Sequence, residues 1–205
     1  MSFLDTFLGK KNGQKGRYFL LGDGVRMSPY EYGRASIHLS IDSSGNCLDQ
    51  LIKGLTDTEC DVATRLRADP DVAQFELIAV GIAVLYVYAG LFLHVPSDIS
   101  EEIDKGISDA LTEMWTDADV SALMVRTQRG YSNLLAVEVQ SEPRAGLLFN
   151  GGVTANAVFD RIKRSYNPPL EVDPLNEYLM KTTIFACSTI GHVNALAEMK
   201  VSFIP

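Results

Sequence analysis

The stretch LIAVGIAVLYVYAGLFLHV, Leu77 to Val95, decides the fold, because nineteen residues pass without an Asp, Glu, Lys or Arg. Upstream of it, Asp69-Pro70 supplies a helix start. Asp is a preferred N-cap, and Pro at the first helical position gives up an amide that has no partner there. Asp71 and Glu76 then lie near the positive end of the helix dipole. Downstream, Pro96 cannot continue a helix and biases Val95 away from helical angles. The pattern predicts a helix over 70–94, roughly 37 Å long at 1.5 Å per residue.

An uncharged run of this length is long enough to cross a bilayer. Its flanks argue for a different environment. Asp69, Asp71 and Glu76 precede it, Asp98, Glu101 and Glu102 follow it, and only Arg65 and Arg67 lie near as anchors. Tyr86 and Tyr88 fall near its middle, where phenols are rare in membrane helices. The reading is a helix buried on all sides within a soluble protein. Ala79, Ala83 and Gly90 form a stripe of small residues ending at His94, the expected place for another helix to come close.

The chain that surrounds this segment has 205 residues, enough for a sizeable core, with 46% hydrophobic and 21% charged residues. Net charge is −8, which argues against a nucleic-acid backbone as the main partner. Charge is uneven: residues 1–35 are basic, 56–120 strongly acidic and 121–170 basic again. Cys47, Cys60 and Cys187 are odd in number and lack metal-type spacing, which fits a reducing cytoplasm. The N-terminus carries no signal-peptide pattern, since the apolar run from Phe3 to Leu8 is short and its basic residues follow it.

Ser2 to Gly9 reads as a short amphipathic helix and Gly9 to Gly16 as a basic linker. Tyr18–Leu21, Gly22-Asp23-Gly24 and Val25–Met27 have the pattern of a small β-hairpin. Residues 1–27 are therefore taken as an N-terminal arm and 28–205 as one helical domain. Ser28-Pro29-Tyr30-Glu31 is a capping box with Pro at the first helical position, so a helix is expected from Pro29 to about Ser40. Residues 36–41 alternate like a strand and compete with that reading. Ser43-Ser44-Gly45-Asn46 reads as a break, and Leu48 to Leu55 as a short helix. Thr56-Asp57-Thr58-Glu59 repeats the capping box ahead of a helix reaching Ala68.

Ile99, Ile103, Ile107, Ala110, Leu111 and Met114 hold one helix face, with acids on the other. Further helices are expected from Asp117 to about Gln140 and from Val153 to Tyr166. Asp173-Pro174 repeats the start at Asp69-Pro70, opening a last helix to about Lys200 with no full charge between Thr182 and Ala197. The fold class is all-α, a multi-helix bundle built around two nearly uncharged helices, 70–94 and 174–200.

Motifs that would identify chemistry are absent. His38, His94 and His192 have no metal-ligand spacing, so no metal or cofactor is expected. No nucleophile elbow occurs, and Cys187 lies within an apolar helix, where a thiol is usually packing. Gly22-Asp23-Gly24 lacks the rest of a dinucleotide fingerprint. Two weaker sets stand as candidates. Gly151, Gly152 and Thr154 open a helix whose free amides offer an anion site, with Arg144 nearby. Tyr86 and His94 on one apolar helix, with Thr182, Thr189 and His192 on the other, are polar groups that need partners or line a ligand pocket.

These patterns lead to a non-catalytic cytoplasmic adaptor or regulatory protein, working through protein contacts with a partner or with itself as a homodimer. The alternative is a small-molecule-binding protein or enzyme with its pocket between helices 70–94 and 174–200. A third reading is membrane association through residues 77–95.

Overall fold

The computed structural model describes residues 16–55, 60–141 and 152–205. In chain order these hold β1 (Tyr18–Leu20), β2 (Arg26–Met27), α1 (Pro29–Gly54), α2 (Cys60–Ala68) and α3 (Pro70–Phe92). After these come α4 (Ser97–Met114), α5 (Ala118–Ser141), α6 (Gly152–Ser165), α7 (Pro174–Ile184), a π-helical segment (Phe185–Ile190), α8 (Gly191–Glu198) and β3 (Ser202–Ile204). The protein is mainly helical, as its periodicity predicts.

Helix α3 is the axis of the bundle, with α1, α5, α6 and α8 packed around it. From Leu77 to Leu85 every residue is buried. Among the described residues it is the one helix long and apolar enough to cross a membrane, and 67% of its most apolar window is buried by the rest of the chain. Pro70 occupies the first turn as expected, whereas the Asp69 side chain makes no capping bond. At α7 the same dipeptide caps in full: the Asp173 carboxylate accepts from the amides of Leu175 and Asn176.

The capping box at Ser28 forms on both sides, Glu31 N–H to Ser28 Oγ at 3.2 Å and Ser28 N–H to Glu31 Oε2 at 2.7 Å. The helix it opens does not stop at Ser40. It runs through residues 36–41 and through Ser43-Ser44-Gly45-Asn46 to Gly54. The reason is local: Ser36, Ser40 and Ser44 turn their hydroxyls back onto the carbonyls of Tyr32, Ser36 and Ile41, so they sit in the helix instead of breaking it. The second capping box, Thr56 to Glu59, and the helix and linker expected before Gly16 lie outside the described residues.

Close helix contact occurs where the sequence pattern did not place it. A Cβ on Gly33 would collide with the Ile103 carbonyl, and one on Gly106 with the Tyr30 carbonyl. As α1 advances from Tyr30 to Gly33 its neighbour on α4 goes back from Gly106 to Ile103, so the pair is antiparallel, and only glycine allows the two backbones to touch. Around that crossing Arg34 forks onto Glu113 at 2.9 and 2.6 Å, and the Tyr30 hydroxyl reaches Asp109 at 3.0 Å. Gly90, expected at a close contact, is exposed and a Cβ there would meet nothing within 4 Å.

The expected hairpin forms and gains a third strand from the C-terminus. The antiparallel order is β2-β1-β3, pairing Phe19 with Met27 on one side and Phe203 on the other. Phe19 is fully buried and stacks on Tyr32 at 4.1 Å, so residues 18–27 share the core of the helices. Gly24 takes the positive φ of 86° that the turn requires.

Candidate functional site

The C-terminal apolar helix departs from the expected continuous run. Between α7 and α8 the backbone widens into a π-helical segment, Phe185–Ile190, and this shapes what its polar residues reach. His192, on the turn that follows, is 2% exposed. Its Nδ1 stands 2.7 Å from the Ser188 carbonyl oxygen, which only accepts, so Nδ1 carries the proton and Nε2 has a bare lone pair. Among the described residues that Nε2 has no hydrogen-bond partner. A Cβ on Gly81 would stand 2.7 Å from it and 2.8 Å from Ser40 Oγ, so α1, α3 and α8 meet here. Burial pushes the imidazole pKa down to about 4 against the opposing Ser188 and Cys187 backbone bonds, which keeps the ring neutral.

Of the other four residues of the expected pocket, three do not join it. Thr189, also buried, lies in the π-helical segment three residues before His192. Thr182 is exposed and donates to the Tyr178 carbonyl at 2.9 Å. Tyr86 is half-buried on the opposite flank; burial, then the Asp104 carboxylate, raises its phenol pKa, against hydrogen bonding with Ser100. His94 lies exposed past the end of α3 with a φ of 54°, about three and a half helical turns from Gly81.

At the start of α6 the free amides do bind an anion, and it belongs to the protein. Glu138 of α5, only 8% exposed, accepts from Val153 N–H at 2.7 Å, Thr154 N–H at 3.3 Å and Thr154 Oγ1–H at 2.6 Å. This is the expected N-terminal chemistry with a carboxylate as its ligand. Gly152 is the first residue of α6, while Arg144 and Gly151 lie outside the described residues.

A second buried polar group was not legible from residue types alone. On the α5–α6 side of α3, Tyr131 donates to Glu76 at 2.5 Å, and Arg161 Nε donates to the other Glu76 oxygen at 3.0 Å. Arg161 also reaches Thr127 Oγ1 at 3.2 Å. Glu76 is 4% and Tyr131 2% exposed. Burial first, and then the Glu76 carboxylate, hold the Tyr131 phenol well above its ordinary pKa, so it stays protonated and donates. Every partner belongs to the group, which has the character of a structural clamp joining three helices. In sequence Glu76 reads as a dipole acid, Tyr131 as an apolar-face residue and Arg161 as a basic helix end. The one available signal is a carboxylate directly before the apolar run.

The outward face of α5 is different in kind. Leu123, Gly130, Leu134 and Val137 recur at intervals of seven, four and three along it, and Leu123, Leu134 and Val137 are 43%, 36% and 65% exposed. Arg126 and Arg129 flank this line, Arg129 standing 3.8 Å from Asp104. Beside the N-terminal half, Ser108 and Thr112 of α4 with Ala118, Ala122, Val125 and Arg126 of α5 line an open groove of about 410 Å³. Comparison with known proteins adds no precedent: no family model, curated protein or solved structure matches this chain.

Proposed function

We propose that this is a non-catalytic adaptor or regulatory protein of the cytoplasm that acts through protein contacts, with the outer face of α5 as its contact surface. The observation that carries the reading is the exposed line Leu123–Gly130–Leu134–Val137 beside the α4–α5 groove. Apolar residues at this spacing suit an amphipathic helix laid along α5, with Gly130 letting the backbones approach. The helix comes from a partner protein or from a second copy of this chain.

The experiment places a photo-crosslinking residue at Leu134 and, as control, at Glu101, an exposed acid of α4 away from the line. A discrete protein adduct at Leu134 alone, abolished by Leu123→Asp with Val137→Asp, supports the surface. Equal labelling at both positions would remove it. Light scattering of the purified chain decides whether the occupant is a second copy.

The alternative reading, a small-molecule pocket between α3 and the C-terminal helices, has one observation in its favour: the unpartnered Nε2 of His192. A cavity between α1, α3 and α8, lined by Tyr32, Ser36, Leu85 and Leu196, holds about 20 Å³. That is room for about one water. The balance therefore favours the surface over the interior.

A further inference from the structure

The π-helical segment brings two thiols together that lie far apart in sequence. Cys187 sits in its middle, half-buried, and its Sγ donates to Gln50 Oε1 of α1 at 3.1 Å. Cys47 lies one turn before Gln50 on the same helix and is 2% exposed. Cys47 and Gln50 stand three residues apart on one face of α1, so the contact with Gln50 sets Cys187 beside Cys47, and both cysteines are free. Widened helical turns of this kind recur at functional positions, because they re-aim side chains that a regular helix would turn elsewhere.

We propose that Cys187 is an oxidation site for hydroperoxides, with Cys47 as the second thiol that converts its oxidised form into a disulfide joining α1 to the π-helical segment. The two sulfurs have unequal roles. Cys187 is the more accessible one, and the neighbouring Cys47 thiol lowers its pKa against the effect of burial. Cys47 is held as the thiol, its pKa raised by Cys187 first and by burial second.

The chemistry balances with a hydroperoxide as oxidant. The Cys187 thiolate attacks one peroxide oxygen; an S–O bond forms, the O–O bond breaks, and the leaving hydroxide or alkoxide takes a proton. Cys47 sulfur then attacks the Cys187 sulfenic acid. An S–S bond forms, the S–O bond breaks, and the hydroxyl leaves as water with the Cys47 proton. Two electrons pass from the sulfurs to the peroxide.

The test treats the native full-length chain with hydrogen peroxide, alkylates the remaining thiols under denaturing conditions and maps the peptides by mass spectrometry. The expected product is a Cys47–Cys187 cross-linked peptide that dithiothreitol abolishes. Cross-linking through Cys60 instead, oxidation of Cys187 that stops short of a disulfide, or full alkylation of both cysteines would each overturn the proposal. Cys47→Ala gives an independent reading: with the second thiol gone, dimedone labelling of Cys187 should rise several-fold over wild type. Unchanged labelling in a variant that melts like wild type would also overturn it. If that variant does not fold, the wild-type peptide map alone decides.

Discussion

Two polar clusters flank α3, and they satisfy burial in opposite ways. Towards α5 and α6, Glu76, Tyr131 and Arg161 form a charged group whose members hold one another at 2.5 and 3.0 Å. Towards α1 and α8, Gly81, Ser40 and His192 form a neutral, close-packed group with one ring nitrogen left without a partner among the described residues. The first is stabilised by directional bonds and resists loss of a partner. The second is held by steric fit, in which there is space for hydrogen at Gly81 and for nothing larger. A buried lone pair without a donor costs about 1–3 kcal/mol, so the packing around His192 has to offset that.

The comparison breaks most visibly at Gly81. Gly81→Leu forces a side chain into the site of His192 Nε2 and Ser40 Oγ and should destabilise by about 3 kcal/mol or more, read by denaturant unfolding. If the cause is steric, Gly81→Ala should be partly rescued by His192→Ala, with a coupling on the order of 1 kcal/mol in a double-mutant cycle. Strict additivity would show that the two sites do not share the space.

The neutral cluster also predicts a pH dependence. His192 titrates near 4 in the fold against an ordinary value of 6.5. Below 6.5 the unfolded chain therefore binds a proton that the folded chain refuses. Stability falls as pH drops from about 6.5 to about 4 and levels off below, a loss of about 3 kcal/mol from this residue. Measured as the difference between wild type and His192→Gln across that window, the slope should disappear in the variant. Parallel curves would show that His192 is not buried neutral.

On the charged side the expected effects are smaller. Tyr131→Phe removes one hydrogen bond to a buried carboxylate and should cost about 2 kcal/mol in chemical unfolding. Arg161→Met should cost less, under about 1 kcal/mol, because the arginine side chain is 46% exposed and water screens its charge. An arginine effect exceeding the tyrosine effect would mean that the ion pair, and not the phenol, organises this flank.

These clusters also mark how far the sequence can be read. The helix starts at Pro29, Pro70 and Pro174 and the all-α class were legible because each depends on neighbours a few residues apart. The apolar run at 77–95 was legible as a core helix for the same reason. The continuity of α1 through Gly45 was not, because serine hydroxyls look alike whether they break a helix or bond back onto it. Nor was the partnering of Glu76 with Tyr131 and Arg161, which lie 55 and 85 positions away. His192 was singled out by residue type, but its expected companions Tyr86, His94 and Thr182 point elsewhere. The π-helical segment changes the phase of the C-terminal helix, and no local pattern announces it.

The smallest effect tests the remaining glycine of α3. Gly90 lies nine residues beyond Gly81, which at 100° per residue puts it on the opposite side of the helix. The small-residue stripe made it the expected contact point, where added bulk would be costly. In the fold it is exposed with nothing within 4 Å of a Cβ. Its backbone carries no left-handed strain, since Gly24 is the glycine with positive φ among the described residues. Gly90→Ala should therefore stabilise by about 0.5–1 kcal/mol, because alanine loses less backbone freedom on entering a helix and meets no obstacle. Gly90→Leu should stay within about 0.5 kcal/mol of wild type. Thermal melts of the two variants beside Gly81→Leu would show one helix with a glycine required by contact on one side and a replaceable one on the other. A melting temperature lowered by Gly90→Ala would instead restore the close helix contact that the stripe of small residues predicts.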